Sequence, residues 1–122
     1  MKYIVVLMFL TGCGQSFNSN SGDEAYTAVN GIDTSTPAGQ RLDAAYTVLK
    51  SECMSCHTGY HNSWNAYKTD IAWQNAGLIS AGSTATSSVY MRLKNVGGDM
   101  PLLNPQISET KRQTLETWIT NL

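Results

Sequence analysis

Two cysteines three residues apart with a histidine directly behind them, Cys53-Met54-Ser55-Cys56-His57, constrain this chain more than any other feature of its 122 residues. Positions i, i+3 and i+4 of a helix share a face. The apolar residues leading into the motif keep that rhythm, with Leu42, Ala45, Tyr46 and Leu49 at i, i+3, i+4 and i+7. Continued, the spacing puts Cys53 on the same face, with Cys56 and His57 one turn further on. Thr36-Pro37 supplies the start of the helix, an N-cap followed by proline at the first helical position. One helix is therefore expected to deliver two thiols and an imidazole to one site.

Four chemistries use such a set, and the rest of the chain separates them. A thioredoxin-like redox pair would need parallel strands in a βαβ pattern, and no strand pattern is visible. Zinc prefers four nitrogen or sulfur ligands, yet only His61 is near in sequence, and Cys13 lies forty residues back. A disulfide is open to an exported chain, although a bridge between adjacent turns closes little of it. C-x-x-C-H is also the attachment signature of c-type haem: two thiols one turn apart add to the two vinyl groups and the next imidazole sits under the iron. The expectation is one covalent haem c, with Cys53 and Cys56 as its thioethers and His57 as the proximal iron ligand.

The N-terminus carries the layout of a secretory signal: Lys2, the apolar run Tyr3 to Leu10, then small residues. That run is well short of the roughly 20 residues of a membrane-spanning helix. Leu10-Thr11-Gly12-Cys13 resembles the lipobox of bacterial lipoproteins, which implies that Cys13 is acylated and becomes the new N-terminus. Of three cysteines, one then goes to lipid and two to haem. Gly14 to about Ser35 is rich in Ser, Asn and Gly with no sustained period, the composition of a flexible tether. The chain thus divides into a signal (1–12), a lipid-anchored linker (13–36) and a haem domain (37–122). Hydrophobic residues make up 42% of the whole and about 38% once the signal is gone, thin for a small domain unless a cofactor fills its core. A net charge of −1 without any Lys/Arg run leaves no basis for nucleic-acid binding.

Past the motif, Trp64, Tyr67, Ile71 and Trp73 predict one or two short helical turns around Thr69-Asp70. Ser87 or Ser88 can cap a helix carrying Val89, Tyr90 and Leu93, with Gly97-Gly98 as a left-handed cap at its end. A last helix starts at Ser108 with Glu109 in its first turn and carries the stripe Leu115, Trp118, Ile119, Leu122. The fold class is all-α, three to five helices around one haem. The second axial ligand follows by elimination among five methionines. Met1 and Met8 leave with the signal, Met54 lies inside the attachment loop and Met91 inside a helix. Met100 remains, held out of helical conformation by Pro101 and preceded by a glycine pair that permits close approach. His61 reads as a surface or pocket histidine. Trp64, Tyr67, Trp73 and Tyr90 are either pocket walls and propionate donors or plain core.

Cys53-Met54-Ser55-Cys56-His57, Met100-Pro101 and a closing helix with Leu115 and Trp118-Ile119 together resemble a small class I monohaem cytochrome c over residues 37–122. The resemblance implies first and last helices crossing beside the haem, with Ala45 and Leu49 against Leu115 and Trp118. A looser likeness, through Leu78 to Gly82, Ser88 to Leu93 and Met100-Pro101, is to haem-binding domains of exported bacterial proteins. One departure is plain: no proline lies between His57 and Met100, so the usual carbonyl partner of the proximal imidazole is missing from the pattern. The function implied is a monomeric single-electron carrier, not an enzyme, anchored by lipid at a bacterial envelope membrane and exchanging electrons with redox proteins. The alternatives are a haem-based gas or redox sensor with a labile distal ligand, and a structural lipoprotein without haem.

Overall fold

In a computed structural model, residues 29–122 are described; the signal, Cys13 and most of the expected tether lie outside them. The described chain is helical: α1 (Pro37–Cys53), α2 (Asp70–Asn75), the single turn α3 (Ser88–Met91) and α4 (Glu109–Thr120), with 3-10 turns at Gly59–Ala66, Thr84–Thr86 and Lys94–Val96. Among the described residues there is no strand, only two isolated bridges, Ser80 with Ser83 and Leu93 with Met100. No helix among them is long and apolar enough to cross a membrane.

The two long helices form where their caps predict. Thr36 accepts a hydrogen bond from Gly39 N–H at 3.1 Å with Pro37 in the first turn, and Ser108 accepts from Lys111 N–H at 3.3 Å. Their apolar stripes meet as the main helix pair of the fold: Ala45, Tyr46, Leu115, Trp118 and Ile119 are wholly buried, and Leu42 and Leu49 nearly so. At the far edge of this interface the Lys111 ammonium of α4 pairs with the Glu52 carboxylate beside Cys53.

A run of aromatic rings extends the core from α4 to the motif side. Trp118 stacks edge-on with Trp73 at 5.4 Å between centroids, Trp73 meets Tyr67 at 5.7 Å and Trp64 at 6.0 Å, and Trp64 meets Tyr46 at 6.1 Å. Three of these rings also bond through their polar atoms: Trp118 donates to Asp70 Oδ1 at 2.8 Å, Trp73 to the Tyr67 carbonyl at 3.1 Å, and Tyr46 to the Asn65 carbonyl at 2.6 Å. Trp73 and Tyr90 are buried core residues, whereas Trp64 and Tyr67 are only partly buried against the cluster. Ile71, expected to share their stripe, points to solvent.

Three expectations change in detail. The packed unit begins before Pro37, inside the stretch read as linker: Ile32 is buried in the core, and Asn30 donates to Asp43 and Thr47 of α1, each at 2.9 Å. The returning backbone passes so close to α1 that a Cβ on Gly39 would fall 1.7 Å from the Asp33 carbonyl oxygen, so only glycine fits there. Ser87 occupies the N-cap of α3, but its buried hydroxyl donates to the Ser83 carbonyl at 2.6 Å and accepts from Ser80 N–H at 2.9 Å instead of capping. Gly97 adopts the left-handed conformation, yet it closes the 3-10 turn Lys94–Val96, because α3 already ends at Met91.

Candidate functional site

α1 stops at Cys53, one residue into the motif, so Cys56 and His57 are not carried on its face as the periodicity predicts. They sit in a turn closed onto the end of the helix: the N–H groups of Cys56 and His57 both donate to the Cys53 carbonyl, at 3.2 and 2.9 Å. The turn keeps the three residues together while separating their surroundings. Cys53 is half-buried and packs on the hydrophobic core, His57 is half-buried, and Cys56 is exposed.

Neither Cys53 nor Cys56 is in a disulfide. Burial, with the negative charges of Glu52 and Cys56 added, pushes the Cys53 thiol up to about 11. A redox-active C-x-x-C pair depends on a depressed thiol pKa, and the burial of Cys53 works in the opposite direction. The set is equally poor for zinc, since among the described residues no three His, Cys, Asp or Glu side chains converge to hold a metal ion. It does suit haem c. There the porphyrin provides four of the iron's six ligands, the thiols are needed as alkylatable sulfurs and not as metal ligands, and the protein owes only two axial donors. The turn supplies two unpaired thiols and one imidazole together, whereas the Met100 thioether belongs to a separate loop bound to Arg92 and Lys94.

The thioether, Met100, is half-buried and its backbone is fully engaged. Its N–H donates to the Arg92 carbonyl and its carbonyl accepts from Lys94 N–H, each at 2.7 Å, in a parallel bridge to Leu93. The glycines before it make this possible: a Cβ on Gly98 would lie 2.2 Å from the Arg92 carbonyl oxygen. The Met100–Pro101 peptide is cis. Arg92 and Asp99 pair at 3.4 Å across the same loop.

Sequence reasoning missed the residues that hold this loop. The Lys94 ammonium donates to the Leu102 carbonyl at 3.2 Å and the Asn104 carbonyl at 2.6 Å, and Asn95 Nδ2 donates to the Ile107 carbonyl at 3.0 Å. With Lys94 N–H on Met100, two adjacent residues satisfy four carbonyls of the segment 100–107. The only sequence signal was indirect: a stretch with two prolines and no helical period must find donors for its carbonyls somewhere. His61 lies in the 3-10 turn after the motif and is exposed, in keeping with a surface histidine. Tyr90 is buried, its hydroxyl held by Arg112 and Glu116 of α4, and burial raises its pKa.

No protein-family model matches the chain, and no curated protein or solved structure matches it either. The function therefore has to be argued from the site itself.

Proposed function

We propose that the protein is an exported, lipid-anchored monohaem cytochrome c that carries single electrons between redox partners at a bacterial envelope membrane. The observation that carries this reading is the closed turn at the end of α1, which holds two unpaired thiols and an imidazole on one carbonyl, that of Cys53. Cys53 and Cys56 would attach haem c, and His57 and Met100 would ligate its iron. Bound there, the group supplies a one-electron iron couple.

The chain's own contributions follow from the packing. α1 and α4 fix the position of the turn through a buried apolar interface, and Cys53 packs against that core while Cys56 is exposed. The segment Arg92–Asn95 holds Met100 by both of its backbone polar groups. Were His57 and Met100 both to ligate the iron, the chain would offer no further position to a substrate, in keeping with a carrier. The lipid anchor at Cys13 rests on the lipobox resemblance alone.

An absorption spectrum of the purified mature protein tests the reading. A covalent haem, retained in denaturant, with the reduced spectrum of a six-coordinate c-type cytochrome and no rapid carbon monoxide binding, is the expected result. Absence of haem would sink the proposal in favour of a structural lipoprotein. Rapid carbon monoxide binding to the ferrous protein would replace the carrier with a sensor whose distal position is labile.

A further inference from the structure

The loop after Met100 carries two consecutive leucines that none of the described residues covers. Leu103 is 85% exposed and Leu102 64%, the most exposed leucines of the described chain, and Asn104, Pro105 and Gln106 beside them are exposed as well. Exposure of this kind at a frayed loop would mean little. Here the loop is hung on Lys94 and Asn95, which take up the carbonyls of Met100, Leu102, Asn104 and Ile107. The leucines are presented on a braced backbone.

From this we infer that the Leu102–Leu103 tip dips into the surface of a lipid bilayer and orients the domain on it; the inference rests on the proposed anchor at Cys13. Three observations favour a bilayer over a protein. First, the carbonyls of Leu102 and Asn104 on either side of Leu103 already accept hydrogen bonds from Lys94, so moving the tip out of water does not strand them. Second, the exposed apolar side chains here are two leucines followed by exposed Asn104, Pro105 and Gln106, far below the roughly 800 Å² per partner of a stable protein interface and well matched to shallow insertion. Third, 15 residues lie between Cys13 and Val29, a reach of at most about 58 Å. A domain held that close meets the membrane continually, and a weak contact suffices because tethering replaces a second-order encounter with an effective concentration.

Two leucines supply too little burial to anchor a protein unaided, so the tip orients and Cys13 retains. The consequence for the carrier is that the loop bearing Met100 faces the bilayer, and partners embedded in that membrane meet this side first.

The test separates tip from anchor. The chain from Gly14 onward, which keeps every described residue, is exported behind a cleavable secretory signal and sedimented with vesicles of phosphatidylethanolamine and phosphatidylglycerol. Weak but measurable partition is expected, reduced about tenfold or more in Leu102→Ser/Leu103→Ser, with an unchanged melting temperature and unchanged haem spectrum. Equal partition of the two proteins, or none by the parent, overturns the inference. So does a shifted spectrum in the serine variant, which would assign the leucines to the iron site. Unchanged partition with slower reduction by a soluble flavoprotein reductant would also overturn it, making the tip a protein contact. Failure of the carrier reading shows separately as absence of haem. Failure of the anchor shows as release of the intact Cys13-containing protein from membranes.

Discussion

Cys53 and Met100 are both half-buried, yet what holds each in place differs in kind. Cys53 ends a 17-residue helix whose inner face is locked against α4 by fully buried Ala45, Tyr46, Leu115, Trp118 and Ile119. Met100 sits in a segment with no helix of its own, fixed by carbonyls bonded to Arg92–Asn95, with exposed leucines two and three residues later. Apolar burial in the first region is cooperative with the whole fold. Hydrogen bonds at the edge of the second can open without it. On the proposed reading, the attachment side is as stable as the protein itself, and the distal side is where the chain sets or loosens its hold on iron.

The comparison breaks most severely if the attachment side is dispensable. Cys53→Ala with Cys56→Ala should give protein with no covalent haem, most of it unfolded or degraded, read by pyridine haemochrome assay and by circular dichroism of whatever accumulates. A double variant that folds and keeps its function would remove haem from the account. Trp118→Ala, which deletes a wholly buried ring and its bond to Asp70, should cost about 3–5 kcal/mol in denaturant unfolding and take both regions with it.

Changes on the distal side should leave the fold and move the iron. Met100→Ala is expected to lower the reduction potential, abolish the near-infrared band of methionine-ligated ferric haem and open a site for carbon monoxide or cyanide. Met91→Leu, at an exposed position at the end of α3, should do none of this. Lys94→Met sharpens the contrast, because it removes the ammonium from two loop carbonyls while keeping its own N–H on Met100. Local stability should fall on the order of 1–2 kcal/mol. Carbon monoxide uptake by the ferrous protein should then lie between that of wild type and Met100→Ala, with little change in global melting temperature. Wild-type uptake rates in Lys94→Met would show that the clamp does not govern the distal side.

The same division decides what could be read from the sequence. α1 and α4 were legible because a long helix writes its buried face as a period and its start as a cap, and Leu42 to Leu49, Leu115 to Ile119, Thr36 and Ser108 all do so. The clustering of Cys53, Cys56 and His57 was legible as a motif, though not the end of α1 at Cys53, since the periodicity runs on while the backbone closes a turn. Ile32 was hidden by its surroundings, one apolar residue in a polar stretch, and only its contacts with α1 place it in the core. Lys94 and Asn95 were hidden for another reason. They act through side-chain donors to irregular backbone up to 12 residues away, a pairing with no period to betray it.

The smallest expected effect lies at the exposed first turn of α4, outside the buried face that α4 shares with α1, and serves as the reference for both regions. Glu109 sits in the first turn of the helix and accepts hydrogen bonds from Arg112 and Gln113, and Arg112 holds its carboxyl below the ordinary value. A carboxylate with a depressed folded-state pKa stabilises the fold above its unfolded value, near pH 4.5, and loses that contribution as pH falls through the lowered folded value. Because the group is fully exposed, solvent screening keeps the effect small. Glu109→Gln should therefore lower the melting temperature at pH 7 by about a degree, and the gap to wild type should close as pH drops below 4. Its haem spectrum and carbon monoxide uptake should match wild type throughout. A Glu109→Gln protein that instead took up carbon monoxide as Lys94→Met does would mean that α4 and the distal loop open together, and the proposed independence of the two regions would be lost.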